Sequence, residues 1–210
     1  MRVSTIVLLV VLGGAGGASA QTLGVGAHAG VSLASATGGA AVNVEFAPQL
    51  VAGADLHLGI ADSLTLRAGA DFTRKELHLS DEVAGSPTVS YTLSYLSFPV
   101  SLRYELGAGA AEAYLSGGGT VGVLLAASQT LAAADTDIKS QLAGVELTAD
   151  VGAGIAYRVS AHLSVALDLR FSIGLNNIAS SAAAIEVNSW RMQTIQILVG
   201  SVYTFGDRPP

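Results

Sequence analysis

Three observations predict a closed, eight-stranded antiparallel transmembrane up-and-down β-barrel. Eight stretches alternate between apolar and small or polar residues, their connections are by turns short and long, and ionic side chains keep to one face of each stretch. The composition agrees. Only 12% of the 210 residues are Asp, Glu, Lys or Arg, about half the share of a soluble domain. A formal net charge of −6 with no basic stripe argues against nucleic-acid binding, and the apolar content argues against disorder. Without cysteine there is no disulfide framework, thiol nucleophile or thiolate metal site.

The first element is an address. Arg2 gives a positive start, residues 6–12 are an unbroken apolar run, residues 13–17 are Gly and Ala, and Ala18-Ser19-Ala20 follows. That order is a secretory signal peptide over residues 1–20 with cleavage before Gln21. Seven apolar residues are too few for a membrane-spanning helix, which needs about 20. Residues 21–210 then form one barrel domain, whose net charge becomes −7 once Arg2 is removed.

No stretch after Ala20 stays apolar for 18 residues, so the mature chain holds no transmembrane helix. The eight strands are read at residues 22–33, 49–60, 64–74, 96–106, 111–125, 145–159, 163–173 and 193–205. In the fourth, Leu96, Phe98, Val100, Leu102, Tyr104 and Leu106 alternate with Tyr95, Ser97, Pro99, Ser101, Arg103 and Glu105. In the seventh, Leu163 to Ile173 alternates with Ser164, Ala166, Asp168, Arg170 and Ser172. Period two with unlike faces is a half-buried strand. Residues 61–63, 107–110 and 160–162 make tight turns, whereas 34–48, 75–90, 126–144 and 176–191 are long polar connections. The long ones therefore share one end of the barrel and both chain ends share the other, the asymmetry of short periplasmic turns and long external loops.

Ionic groups decide which way the barrel faces. Asp55, Arg67, Asp71, Arg103, Glu105, Glu112, Glu146, Asp150, Arg158, Asp168 and Arg170 all fall opposite the apolar face, and only Arg74, at a strand rim, shares it. A soluble, ligand-carrying barrel would spread its charges over a water-facing exterior. On a lipid face a mid-bilayer Arg or Lys costs about 2–4 kcal/mol. Small inner residues, including Gly26, Gly53, Gly118 and Gly154, leave room in a bore that eight strands make too narrow for an aqueous channel. Tyr104, Tyr157, Tyr203 and Phe205 gather at the turn end as an interfacial girdle.

Residues 26–32 (GAHAGVS), 95–104 (YLSFPVSLRY) and 167–177 (LDLRFSIGLNN), with a last strand ending Tyr203-Thr204-Phe205, resemble the PorT-like outer-membrane β-barrel family over essentially the whole mature chain. The Tyr-Leu-x-Phe-Pro strand is the most telling piece, since Pro99 sits mid-strand without a ladder donor. Where the family has an acidic residue after Tyr-Leu, this chain has Ser97. The resemblance implies an eight-stranded porin-like barrel in a Gram-negative outer membrane, and it transfers no catalytic residue. One namesake of the family contributes to protein secretion.

Two constellations carry potential chemistry. His28 and His57 fall on the inner face, Asp55 lies one inner position from His57, and Ser32 is a conceivable nucleophile. A hydrolase needs that nucleophile in reach of a carboxylate-held imidazole, and the competing reading is a satisfied interior histidine. The four inner arginines facing seven carboxylates are either an ion path or a structural lumen network. The narrow bore favours the network, comprising Asp55, Arg67, Asp71, Arg103, Glu105, Glu112, Asp150, Arg158, Asp168 and Arg170. Asp81-Glu82, Asp135-x-Asp137 and Glu186 read as solvated loop charges rather than a Ca²⁺ site.

The sequence thus predicts a non-enzymatic outer-membrane barrel with a structural or loop-mediated surface role and no cofactor. A narrow porin-like channel is the alternative, and a lipid-modifying enzyme is a weaker one. The expected partners are outer-membrane lipids, the barrel-assembly machinery during biogenesis, and an external ligand or protein at loops 75–90 and 126–144.

Overall fold

The computed structural model describes residues 22–37, 43–46, 48–80, 89–107, 109–131, 134–179 and 191–205. The expected signal peptide, Asp81, Glu82 and Glu186 lie outside the described residues. Among the described residues there are ten strands: β1 (Leu23–Thr37), β2 (Asn43–Phe46), β3 (Pro48–Ala61), β4 (Leu64–Ser80), β5 (Val89–Glu105), β6 (Ala111–Leu131), β7 (Ala134–Asp137), β8 (Val145–Arg158), β9 (Leu163–Gly174) and β10 (Arg191–Phe205). Among the described residues no helix is long and apolar enough to cross a membrane.

Eight of these strands close on themselves in the order β1, β3, β4, β5, β6, β8, β9, β10 and back to β1, each pair antiparallel. The β4–β5 pairing completes the ring, and in hydrocarbon a ring is what leaves no backbone donor or acceptor at an open edge. The ladder skips one place. Ala68 pairs with Val100 and Asp71 with Ser97, but Gly69 and Ala70 do not pair with Pro99 and Phe98, because Pro99 has no N–H to give. The register is the same on both sides of the gap, so the closure survives it.

Period two is visible in burial along the barrel strands, most plainly on β10. On β10, Met192, Thr194, Gln196, Leu198 and Thr204 are buried while Ile195, Ile197, Val199, Tyr203 and Phe205 are exposed. The exposed set continues around the ring through Leu56, Phe72, Phe98, Leu115, Val151 and Leu167, giving a continuous apolar exterior. Such a surface is stable only against lipid. At the turn end Tyr104, Tyr157, Tyr203 and Phe205 are all exposed, and the Tyr203 and Phe205 rings meet edge-on at 5.2 Å.

The strands are longer at the loop end than the sequence pattern indicates. β4 runs to Ser80, β5 starts at Val89, and β6 extends to Leu131, so part of the expected loops 75–90 and 126–144 is sheet. β2 pairs with the end of β4 and β7 with the end of β6, placing strands inside the expected connections 34–48 and 126–144. A membrane strand needs about 9–11 residues, so these extensions continue the sheet beyond the lipid. A bulge between Ser94 and Tyr95 leaves Leu125 of β6 without a partner. Beyond it the buried residue is Ala127 rather than Ala126, the change of facing an extra residue imposes.

Val199 is 62% exposed in the middle of β10 on the apolar exterior. Val199→Arg should lower the unfolding free energy of the barrel in liposomes by about 2–4 kcal/mol. The neighbouring lumen substitution Gln196→Asn, which adds no charge, should lack that depth-dependent cost. Denaturant unfolding of the two variants checks this.

Candidate functional site: the barrel lumen

The lumen is filled by ionic side chains from all around the ring. Near the turn end, Arg67 on β4 reaches in two directions: its Nε donates to Asp55 Oδ2 at 2.8 Å and its Nη1 to Asp168 Oδ2 at 2.8 Å. Asp55 also lies 2.7 Å from His57 Nε2 and 3.1 Å from His28 Nδ1. The other ring nitrogen of His28 is 3.1 Å from Asp71 Oδ1, and Arg170 Nη1 is 3.4 Å from Asp71 Oδ2. β1, β3, β4 and β9 are thereby tied across the bore by one connected set of charges. Arg103 lies over the Tyr114 ring at 3.6 Å and 3.6 Å from Glu105, and Arg158 donates to Glu112 at 2.8 Å.

Small residues make this arrangement possible. Gly26 pairs across the sheet with Asp55, and Gly53 with Asp71. A Cβ on either glycine would collide with the carboxylate oxygen Oδ1 of its partner. The sequence places its glycines beside its acids because both must share a bore with no space to spare.

A fifth cation belongs to the lumen, correcting the reading of Lys75 as a loop residue. It is a buried residue of β4 whose Nζ donates to Glu146 Oε2 at 2.6 Å and lies 5.0 Å from the centre of the Tyr95 ring. Its odd number continues the inward series Arg67, Asp71, Thr73, so parity alone could have found it. Asp150 accepts from Thr120 Oγ1 at 2.5 Å and Thr148 Oγ1 at 2.8 Å.

Above these charges the bore is apolar. Ala34, Leu77, Tyr91, Leu93, Tyr95, Leu124 and Met192 point inward from the strands and meet Ile138, Leu142 and Ile178 from the external connections in one buried cluster. The sequence pattern did not separate these leucines from lipid-facing ones. Below the plug, two spaces among the described residues are small. The one among His28, Asp55, Arg67, Arg103 and Tyr114 and the one among Thr73, Lys75, Thr120, Glu146 and Thr148 are each about 30 Å³, room for about two waters.

The hydrolase constellation does not assemble. Ser32 is buried four residues beyond His28 on β1, about 13 Å away at strand rise. Among the described residues no group of three or more His, Cys, Asp or Glu could hold a metal ion. Asp135 and Asp137 are exposed on β7 and engage Thr130 and the Lys139 backbone N–H.

Because Arg67 is the shared partner of two buried carboxylates, Arg67→Met should destabilise the barrel by about 3–5 kcal/mol. Asp168→Asn in that background should recover part of the loss, since it removes one stranded charge. A double-mutant cycle of denaturant midpoints measures both.

Comparison with curated protein sequences gives no match. Among solved structures the fold is similar to that of Neisserial surface protein A, 19% identical, covering 87% of this chain and 97% of that one at a TM-score of 0.53. It is likewise similar to a major outer membrane protein from Thermus thermophilus, with 16% identity, 89% and 100% coverage and a TM-score of 0.53. The outer membrane protein OprG from Pseudomonas aeruginosa follows, with 16% identity, 88% and 95% coverage and a TM-score of 0.52. At these identities the likeness is one of fold. The family described as "Outer membrane protein beta-barrel domain" matches residues 19–180. With the inside-out polarity of its closed eight-stranded ring, this places the chain in the outer membrane as a member of the outer membrane protein β-barrel domain family.

Proposed function

We propose that the barrel is a non-enzymatic, non-conducting membrane scaffold whose role is structural or is exercised by its external loops at the cell surface. The observation that carries this reading is the apolar plug of Leu77, Leu93, Leu124, Ile138, Leu142, Ile178 and Met192 across the external end of the bore. Ions do not cross a dry apolar constriction without losing their hydration. The porin-like alternative has, among the described residues, small polar spaces beneath that plug to support it. The nucleophile the sequence offers, Ser32, lies four residues beyond His28 on β1, and the ring nitrogens of His28 and Nε2 of His57 lie against Asp55 and Asp71.

In this reading the partners are outer-membrane lipids along the exterior, the assembly machinery that inserts the ring, and a ligand or protein that meets the external connections. The PorT-like resemblance, with its one namesake that contributes to protein secretion, is compatible with the same reading.

Planar-bilayer recordings test it: the purified barrel should give no stepwise open-channel current in concentrated salt, and steady ohmic steps would overturn the reading in favour of the channel. Surface presentation is checked on the cysteine-free background. Thr136→Cys on the exposed β7 should react with an impermeant maleimide on intact cells, and Asp62→Cys at a tight turn should react only after the outer membrane is opened.

A further inference from the structure

Each inner carboxylate but one faces a cation or an imidazole. Asp55 and Asp168 share Arg67, Asp71 has Arg170 and His28, Glu105 has Arg103, Glu112 has Arg158 and Glu146 has Lys75. Asp150 is 6% exposed, and its partners among the described residues are two hydroxyls, Thr120 Oγ1 and Thr148 Oγ1. An ionised carboxylate buried without a counter-charge is strongly disfavoured.

The space beside it has the matching chemistry. Thr120 and Thr148 both line the chamber of about 30 Å³ that also holds Lys75, Glu146 and Arg170. A hydroxyl has one proton to give, and each threonine gives its proton to Asp150, so what it offers the chamber is lone pairs. Glu146 lines the same chamber and is 3% exposed. Its Oε2 takes Lys75, and its Oε1 has no hydrogen-bond partner among the described residues. Acceptors therefore converge on a space of one or two water volumes. Its lining holds the carboxylates Asp71 and Glu146 and the cations Lys75 and Arg170, with Asp150 one hydroxyl further back behind Thr120 and Thr148.

We infer that this chamber is a binding site for one small monovalent alkali cation, sodium or potassium, held by Thr120 Oγ1, Thr148 Oγ1 and Glu146 Oε1 with Asp150 behind the threonines supplying its counter-charge. Oxygen donors of this kind suit hard cations. The plug closes the external side of the chamber, so the ion would be a structural one, a conclusion independent of whether the external loops bind anything.

The test refolds the barrel into liposomes in sodium, potassium or N-methyl-D-glucamine chloride of equal ionic strength and pH, and reads the denaturant unfolding equilibrium. Sodium or potassium should stabilise it saturably, so that at ten times the half-saturating concentration the unfolding constant is about 11-fold lower. N-methyl-D-glucamine, too large for the chamber, should not. Asp150→Asn should abolish the saturable difference between salts. Thr148→Val should weaken it while Thr148→Ser preserves it, a comparison that stands if Asp150→Asn fails to refold. Equal response to all three salts in the unsubstituted chain, or an undiminished cation effect in Asp150→Asn and Thr148→Val, would overturn the site. So would an un-ionised carboxyl stretch in the infrared spectrum that Asp150→Asn removes, since a proton would then be the compensating charge.

Discussion

The constraint on which everything else depends is that hydrocarbon offers no hydrogen bonds. A sheet placed there must satisfy its backbone within itself, and a ring is the arrangement of strands that does so. Closure then dictates the side chains. One face of every strand touches acyl chains and the other shares a narrow bore, so Val151, Leu167 and Val199 lie outside while Asp55, Arg67 and Asp168 lie within. The ring tolerates Pro99, a residue that breaks the β4–β5 ladder locally, because the pairs on either side hold the register.

Placing charge in the bore exchanges one difficulty for another. It spares the lipid face, but each buried ion must find partners across a space a few side chains wide. The structure answers with shared groups. Arg67 serves Asp55 and Asp168 and His28 lies between Asp55 and Asp71, so that strands far apart in sequence are joined through the centre as well as along their edges. Glycines opposite those acids supply the volume. This coupling makes the lumen resemble the core of a soluble protein in function, with electrostatics in the place of apolar packing. Only at the external end does an ordinary apolar core take over.

How much of this was legible follows from where the two-residue period holds. Between Leu23 and Leu33, or Leu163 and Ile173, lipid enforces alternation, and the facing of Asp168 and Arg170 can be counted off from any apolar neighbour. Beyond the lipid that enforcement ends. Residues 75–80 and 126–131 continue as strands by pairing with their neighbours and with β2 and β7, yet Lys75 interrupts the apolar set of Leu77 and Leu79, and Ala126 to Leu131 mixes small, polar and apolar residues, so they read as loops. Lys75 was lost with them. The plug was hidden for a different reason: Leu77, Leu93 and Leu124 have the residue type of a lipid face, and the bulge at Leu125 alters the count just where it would distinguish them. The partner of each lumen charge was not legible either, since cross-bore contacts such as Arg170 with Asp71 depend on the closed ring rather than on any local spacing.

The apolar cluster and the charged bore together fill the inside of the ring with side chains from both of its ends. The claim beneath that description is the orientation of each face. Spin-label scanning of β10 from Thr194 to Ser201 in liposomes tests it most directly, by comparing collision with oxygen, which partitions into lipid, and with a polar nickel chelate. The account predicts a two-residue alternation in which labels at positions 195, 197, 199 and 201 collide with oxygen and labels at 194, 196, 198 and 200 are shielded from both reagents. An opposite phase, or a helical period, would contradict it.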